Sequence, residues 1–324
     1  MKVLVTGGAG YVGSHTVRAL ARAGHEPVIL DNFSTGRREL VQSREVIEAD
    51  LADAQAARRA FAGRSFEAVL HFASLIEVGE SFADPQKYYA HNLGCGLNLL
   101  RAMLEAGVKK LVFSSSAAVY GVPKTTPIEE SHPLEPANPY GRTKLFLESI
   151  LEDYGRAYGL KHISLRYFNA AGADPEGALG EMHEPESHLI PNILLSVLGR
   201  NAGLSLYGTD WPTPDGTAVR DYVHVTDLAR AHVLAVERLS AGAASDRLNL
   251  GAGRGHSVLE VIKKAEEITG RTVPFTPRPP RPGDVPTLLA SRARAEKVLG
   301  WKPELSDLET IIRTAWNWHS RTHG

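Results

Sequence analysis

A short apolar strand, Val3-Leu4-Val5, runs directly into Thr6-Gly7-Gly8-Ala9-Gly10-Tyr11-Val12-Gly13, and few folds accept that order. The G-x-x-G-x-x-G spacing gives each glycine a task. Gly7 permits a tight turn, Gly10 lets backbone approach a pyrophosphate, and Gly13 lets the next helix, Ser14 to Ala23, pack on the strand. Phosphates would then meet the free N–H groups and the positive end of that helix. Asp31 ends a second strand, Val28-Ile29-Leu30, 18 residues beyond Gly13. A carboxylate there accepts both ribose hydroxyls of adenosine and repels a 2′-phosphate, so NAD is the expected cofactor; Arg37 and Arg38 are the residues that argue for NADP.

The alternation continues along the first half. Glu45 to Asp50, Ala68 to Ala73, Lys110 to Ser116 and His162 to Phe168 read as strands, with helices at Ala54 to Phe61, Gln86 to Ala106 and Tyr140 to Tyr158. Short apolar strands separated by helices predict an α/β fold, a Rossmann-type doubly wound parallel sheet covered on both faces. After Asn169, glycine and proline punctuate the chain more often. The stretch 209–216 (TDWPTPDG) is a loop by composition, while Asp227 to Leu239 and Ser257 to Thr269 are helices, the second with Ser257 as N-cap and Glu260 at the third position. Pro274 to Pro286 holds six prolines and reads as an ordered or polyproline-like connection. The expected division is a dinucleotide-binding domain over 1–170, completed by a segment around 218–240, and a smaller C-terminal substrate-binding domain over 171–324.

Charge excludes some partners. A formal net charge of -1 over 324 residues lacks the basic excess that nucleic acid or an anionic membrane surface requires. A single cysteine, Cys95, allows no intramolecular disulfide and suits a reducing cytosol. Residues 1–30 carry no secretory pattern, and no apolar run nears the roughly 20 residues of a spanning helix. The expectation is a soluble, cytoplasmic protein.

Tyr140 and Lys144 form Y-x-x-x-K at the start of the helix that follows the fifth strand. One helical turn puts both side chains on one face. A free tyrosine titrates at about 10, and a neighbouring ammonium together with an oxidised nicotinamide favours its phenolate, which makes Tyr140 a candidate base. Tyr120 and Lys124 repeat the spacing, but Pro123 interrupts it and no helix aligns them. Ser116 ends the strand 24 residues before Tyr140, where strand ends line the ligand crevice of such sheets, and it can relay a proton between Tyr140 and a substrate hydroxyl.

These residues resemble the extended short-chain dehydrogenase/reductase family, and within it the epimerases that invert C4 of a UDP-hexose. The matching stretches span nearly the whole chain: VLVTGGAGYVGSH, LDN, HFASLIEVGES, FSSSAAVYG, NPYGRTK, LRYFNAAGA, DGTAVRDYVHVTDLA, NLGAGRGHSV and RPGD. The resemblance implies catalytic roles for Ser116, Tyr140 and Lys144. It implies NAD contacts from Gly7, Gly10, Tyr11, Val12, Gly13, Asp31, Asn32, Asp50, Leu51, Phe72, Ala73, Ser74, Asn92 and Phe168. Asn169, His188, Leu189, Tyr207, Arg220, Arg281, Asp284 and Leu288 would hold the UDP-sugar, where the forked guanidinium groups suit a diphosphate. The family also forms homodimers through two helices, which correspond here to Gln86–Ala106 and Leu145–Tyr158.

Three positions depart from the family pattern. Ile76 stands where many members carry lysine, His188 where an asparagine precedes the Leu-x-Pro, and Leu288 where some carry a bulky tyrosine that confines the sugar's 2-substituent. The smaller Leu288 predicts some activity on UDP-N-acetylglucosamine. A 4,6-dehydratase is excluded because Ala117 and Ala118, not an Asp-Glu pair, follow Ser116. A UDP-glucuronate decarboxylase, a 4-ketoreductase and a non-catalytic NAD-binding protein remain as rivals. The segment His183-Glu184-Pro185-Glu186-Ser187-His188 contains metal-ligating residue types, but its proline and irregular spacing favour a polar loop, and the chemistry needs no metal.

Overall fold

Strands that are apolar along their whole length need cover on both faces. The computed structural model, which describes residues 1–201, 203–281 and 283–323, supplies it. In chain order the strands are β1 (Lys2–Thr6), β2 (Glu26–Asp31), β3 (Glu45–Glu48), β4 (Ala68–His71), β5 (Lys110–Ser116), β6 (Lys161–Tyr167), β7 (Asn169–Ala171), β8 (Leu204–Tyr207), β9 (Val219–His224), β10 (Asp246–Leu250), β11 (Gly255–Ser257), β12 (Phe275–Arg278) and β13 (Thr287–Leu288). The helices are α1 (Tyr11–Arg22), α2 (Ala54–Phe61), α3 (Val78–Ala83), α4 (Pro85–Tyr88), α5 (Gly94–Glu105), α6 (Pro139–Tyr158), α7 (Leu189–Val197), α8 (Val225–Ser240), α9 (Val258–Thr269), α10 (Ala293–Leu299) and α11 (Leu308–His323).

Seven parallel strands form the main sheet in the order β10-β6-β5-β4-β1-β2-β3. One face is buried by α1, α8 and Trp301, with Val17, Leu20, Leu228 and Val236 in its core. The other is buried by α2, α5 and α6 through Ala57, Leu99, Met103, Leu147 and Leu151. The strand order reverses between β1 and β4, and such a reversal opens a crevice at the carboxyl ends of the strands. A second core, with Ile193, Val261, Ile311 and Ile312, lies among α7, α9 and α11. It backs a smaller group in which β9 pairs with β7 and β13 in parallel and with β11 antiparallel.

The two halves interleave beyond the 218–240 segment. Strand β10 is the seventh strand of the main sheet, paired with β6, and α10 packs against β10 and α8. The stretch Gln86 to Ala106 is not one helix: a π-helical turn at Tyr89–Leu93 separates α4 from α5. The wider turn carries the buried Asn92, whose amide bonds Leu75 and Thr143. Within the proline-rich run, Phe275–Arg278 pairs in parallel with Leu204–Tyr207, a two-stranded arrangement that tolerates Pro277; Pro282 lies outside the described residues. Ser257 caps α9 through the reciprocal hydrogen bonds with Glu260 that the sequence predicts.

Candidate active site

The turn after β1 is shaped for an anion. Helix α1 starts at Tyr11, with Gly10 extended as its N-cap; no side chain caps it and no acidic residue lies in its first turn. Its first N–H groups therefore have no partner within the helix. A Cβ on Gly13 would lie 2.1 Å from the carbonyl oxygen of Gly7, so only glycine lets helix and turn meet. Asp31 ends β2 beside this turn, where its carboxylate accepts from Ala9 N at 2.9 Å and Phe33 N at 2.9 Å. Burial raises the Asp31 pKa, and those two bonds work against the rise. Asn32 donates to Asp50 at 3.1 Å, and the Leu51 carbonyl accepts from Asn98 at 2.8 Å. These residues fit the adenosine half of a dinucleotide. Arg37 binds the Met182 carbonyl and Glu184, and Arg38 pairs with Glu48 while stacking on Phe33 at 4.1 Å. Both arginines that argued for NADP have partners other than Asp31.

The strand ends bring the rest of the crevice together. Phe72 and Ala73 donate from their backbone to the Thr6 carbonyl at 2.9 and 3.2 Å, and the Ser74 hydroxyl donates to Leu75 at 3.3 Å. The Tyr11 hydroxyl reaches across to the Gly172 carbonyl. Asn92 spends both amide hydrogens on Leu75 and Thr143, so its side chain braces the wall beside α6.

Ser116 closes β5, and its hydroxyl accepts from Ala118 N at 3.1 Å. Helix α6 begins against that turn: Asn138 caps it by accepting from Gly141 N at 2.7 Å, and a Cβ on Gly141 would stand 2.5 Å from the Ala118 carbonyl oxygen. Tyr140 is thus delivered to Ser116. Burial pushes its phenol up to about 12, and the neighbouring Ser116 hydroxyl opposes that. Lys144 is 3% exposed, donates to the Ser114 carbonyl at 2.8 Å, and holds its ammonium 5.7 Å from the centre of the Tyr140 ring. Burial pulls Lys144 down to about 7, with Glu148 acting in the other direction. The protein alone therefore keeps the phenol protonated, contrary to the simplest reading of a tyrosine beside an ammonium. An oxidised nicotinamide, when bound, would add positive charge beside the ring and favour the phenolate.

On the opposite wall, Asn169 donates to the Asp221 carbonyl at 2.9 Å. Arg220 lies on β9 directly opposite Leu288 of β13, donates to Val219 and Val285 carbonyls, and stands 4.0 Å from Asp284. Arg281 bonds Asp284 at 3.2 Å and stacks over Tyr207 at 4.7 Å. Leu288 and Phe168 pack on one buried cluster with Ala117, Val119 and Tyr120, immediately beyond Ser116. Leu189 opens α7, and His188 before it is drawn onto Glu181. Ile76 is 37% exposed.

Some participants escape sequence reading. Tyr167 shares a hydrogen bond with Ser114 at 2.5 Å, beneath the carbonyl that holds Lys144. Glu148, one turn after Lys144, is buried and clamps Arg166 while accepting from Ser115. Arg166 is the available signal: a charge in the middle of a central strand demands a partner.

A family model for the NAD dependent epimerase/dehydratase family matches residues 3–251. The chain belongs to this family. Among similar proteins is a UDP-glucose 4-epimerase of Lacticaseibacillus casei, 49% identical over 98% of this chain and 97% of its own length. The structure of UDP-glucose 4-epimerase from Brucella ovis in complex with NAD aligns with a TM-score of 0.95 at 49% identity, over 97% of each chain. The enzyme of the same name from Bifidobacterium longum, in complex with NAD+ and UDP, aligns at 0.94 and 39% identity, over 99% of this chain and 98% of that one. As an NAD-dependent member of the epimerase/dehydratase family, the chain has a glycine turn and an Asp31 whose geometry fits the cofactor, and among the described residues no helix is long and apolar enough to cross a membrane.

Proposed function

We propose that this protein interconverts UDP-glucose and UDP-galactose by inverting C4 through a 4-keto intermediate. The observation that carries the reading is the meeting of Ser116, Tyr140 and Lys144 where β5 and α6 open onto the dinucleotide crevice. NAD, when bound, supplies the acceptor that takes a hydride from C4 and gives it back. Tyr140 removes the proton of the 4-hydroxyl, directly or through Ser116, and returns it on the other face. Lys144, held by the Ser114 carbonyl, would place positive charge beside the phenol and hydrogen-bond the cofactor ribose once NAD is bound. Gly7, Gly10, Tyr11, Val12, Gly13, Asp31, Asn32, Asp50, Leu51, Phe72, Ala73, Ser74 and Phe168 line the cofactor, and Asn92 supports them from behind.

Arg220 and Arg281 grip the diphosphate, with Asn169, His188, Leu189, Tyr207 and Asp284 around the uridine and sugar. A firm hold on UDP and a loose hold on the hexose let the keto sugar turn about its diphosphate link. The domain over 1–170 contributes the cofactor side of this cleft and 171–324 the substrate side. Leu288, smaller than the tyrosine that some members carry there, supports some activity on UDP-N-acetylglucosamine. The protein acts in the cytoplasm as a homodimer, an arrangement supported by the exposed Leu97 on α5 and Phe146 and Tyr158 on α6.

Incubation with UDP-galactose, followed by NMR of the anomeric protons, tests the reading. Wild type is expected to reach a glucose–galactose mixture, and Tyr140→Phe to lose about 10²–10⁴-fold in kcat while retaining bound NAD. Full activity in Tyr140→Phe, or net accumulation of free reduced cofactor, sinks it.

A further inference from the structure

The loop before α7 gathers four side chains, of which the proposed function employs only His188, at the substrate. Glu181, His183, Glu186 and His188 each present one ligand atom, and all four atoms lie within 4.8 Å of one another. Glu181 forms the floor, with a side chain 3% exposed. Its Oε1 meets the Nδ1 of His188 and lies 3.0 Å from the Nδ1 of His183, which is itself 3.9 Å from Glu186 Oε1. Two imidazole nitrogens thus converge on one carboxylate oxygen instead of pairing one to one. His183 Nδ1 is also shielded from solvent, yet it makes no aligned hydrogen bond among the described residues despite that 3.0 Å approach.

A proline-interrupted loop has no regular ligand spacing, so the convergence arises from its tethers. Glu186 accepts from the N–H groups of Ser187 at 2.8 Å and His188 at 2.9 Å, which folds the loop back on itself. Trp318 donates to the Glu181 carbonyl at 3.1 Å, and Arg37 to the Met182 carbonyl at 3.1 Å. The ring of His183 stands edge-on to Tyr11, 6.2 Å between centres. Donor atoms of a tetrahedral site with bonds of about 2.0–2.2 Å lie roughly 3.3–3.6 Å apart, so from separations within 4.8 Å shifts of about 1 Å, with His188 backing away from Glu181, would surround an ion. Two carboxylates balance a divalent charge with both imidazoles neutral. Nitrogen and oxygen donors without a thiolate suit zinc and its first-row neighbours.

We infer that Glu181, His183, Glu186 and His188 form a binding site for a divalent transition metal of the zinc class, which fixes the 181–188 loop between the dinucleotide turn and α7. The test uses the full-length, NAD-loaded protein, freed of metal by a chelator and titrated with zinc against a chromophoric competitor. One zinc per chain is expected, and cobalt in its place should give the visible bands of a four-coordinate ion. His183→Gln and Glu186→Gln should each weaken zinc by at least about 100-fold. Zinc should raise the melting temperature of wild type and leave both variants unmoved. Using two variants guards against one failing to fold. Zinc that binds without defined stoichiometry, or equally well in both variants, overturns the site. None of these readouts needs turnover, so failure here is distinct from failure of the epimerase reading.

Discussion

Lys144 bears an electrostatic tension in the crevice, because burial opposes the charge its proposed role requires. Its pKa is lowered from 10.5 to about 7, so between those values the unfolded chain binds more protons than the folded one. Stability contributed by this group therefore rises with pH across that window. Lys144→Met removes the cost of the buried ammonium. In NAD-free protein the variant should be more stable than wild type near pH 7, with the difference shrinking towards the unfolded value of 10.5. Urea midpoints across that range check the sign, and a gap that widens with pH contradicts it. Leu288 is the second residue with a sharp expectation. It packs on the buried cluster that starts just beyond Ser116, where a larger ring would narrow the proposed sugar site. Wild type should turn over UDP-N-acetylglucosamine, and Leu288→Tyr should cut that rate by roughly 10–200-fold relative to the plain hexose. Undetectable wild-type turnover of the N-acetyl sugar refutes the assignment.

At the level of elements, legibility followed locality. The glycine turn, the cap of α9 and the pairing of Tyr140 with Lys144 each sit within a few consecutive residues, so local rules reach them. Asn92 was legible as a polar residue but not as a brace, because the π turn that aims it inward breaks the period from which the helix was read. The Glu148–Arg166 pair was only half legible: Arg166 stands out as a charge within a strand, but its partner lies on α6, 18 positions away in sequence. Side-chain exposures of 2% and 0% make the clamp dry, and Arg166 also reaches Tyr120, which bonds Asn249 of β10. Helix α6 and strands β5, β6 and β10 are thereby tied behind the catalytic residues. Glu148→Ala leaves a guanidinium buried without its partner and should cost about 3–5 kcal/mol. Replacing both residues by methionine removes the orphaned charge and should cost less. Chemical denaturation of the single and double variants distinguishes these outcomes.

For the whole molecule, the interleaving is what the sequence concealed. A reading that divides the chain near residue 170 and returns only a segment around 218–240 to the first half leaves out β10, the seventh strand of that sheet, and α10, which packs on β10 and α8. Strand pairing across 80 residues leaves no local trace, whereas the apolar content of each strand does. The same reasoning bears on assembly. Helices α5 and α6 cover one face of the sheet, so their outer sides would ordinarily be polar. Instead Leu97 is 42% exposed, Phe146 47% and Tyr158 51%, with Tyr89 close to Phe146 at 6.3 Å between ring centres. A two-fold pairing of this face would stack two helices from each copy and bury all of these side chains in one self-complementary contact. Leu97→Glu with Phe146→Glu places unpaired charge at the centre of that contact without touching the crevice. Light scattering should then fall from twice the chain mass to 35.1 kDa, with bound NAD retained. A wild-type protein already at 35.1 kDa, or a double variant that stays at twice that mass, would leave these exposed side chains without the proposed partner.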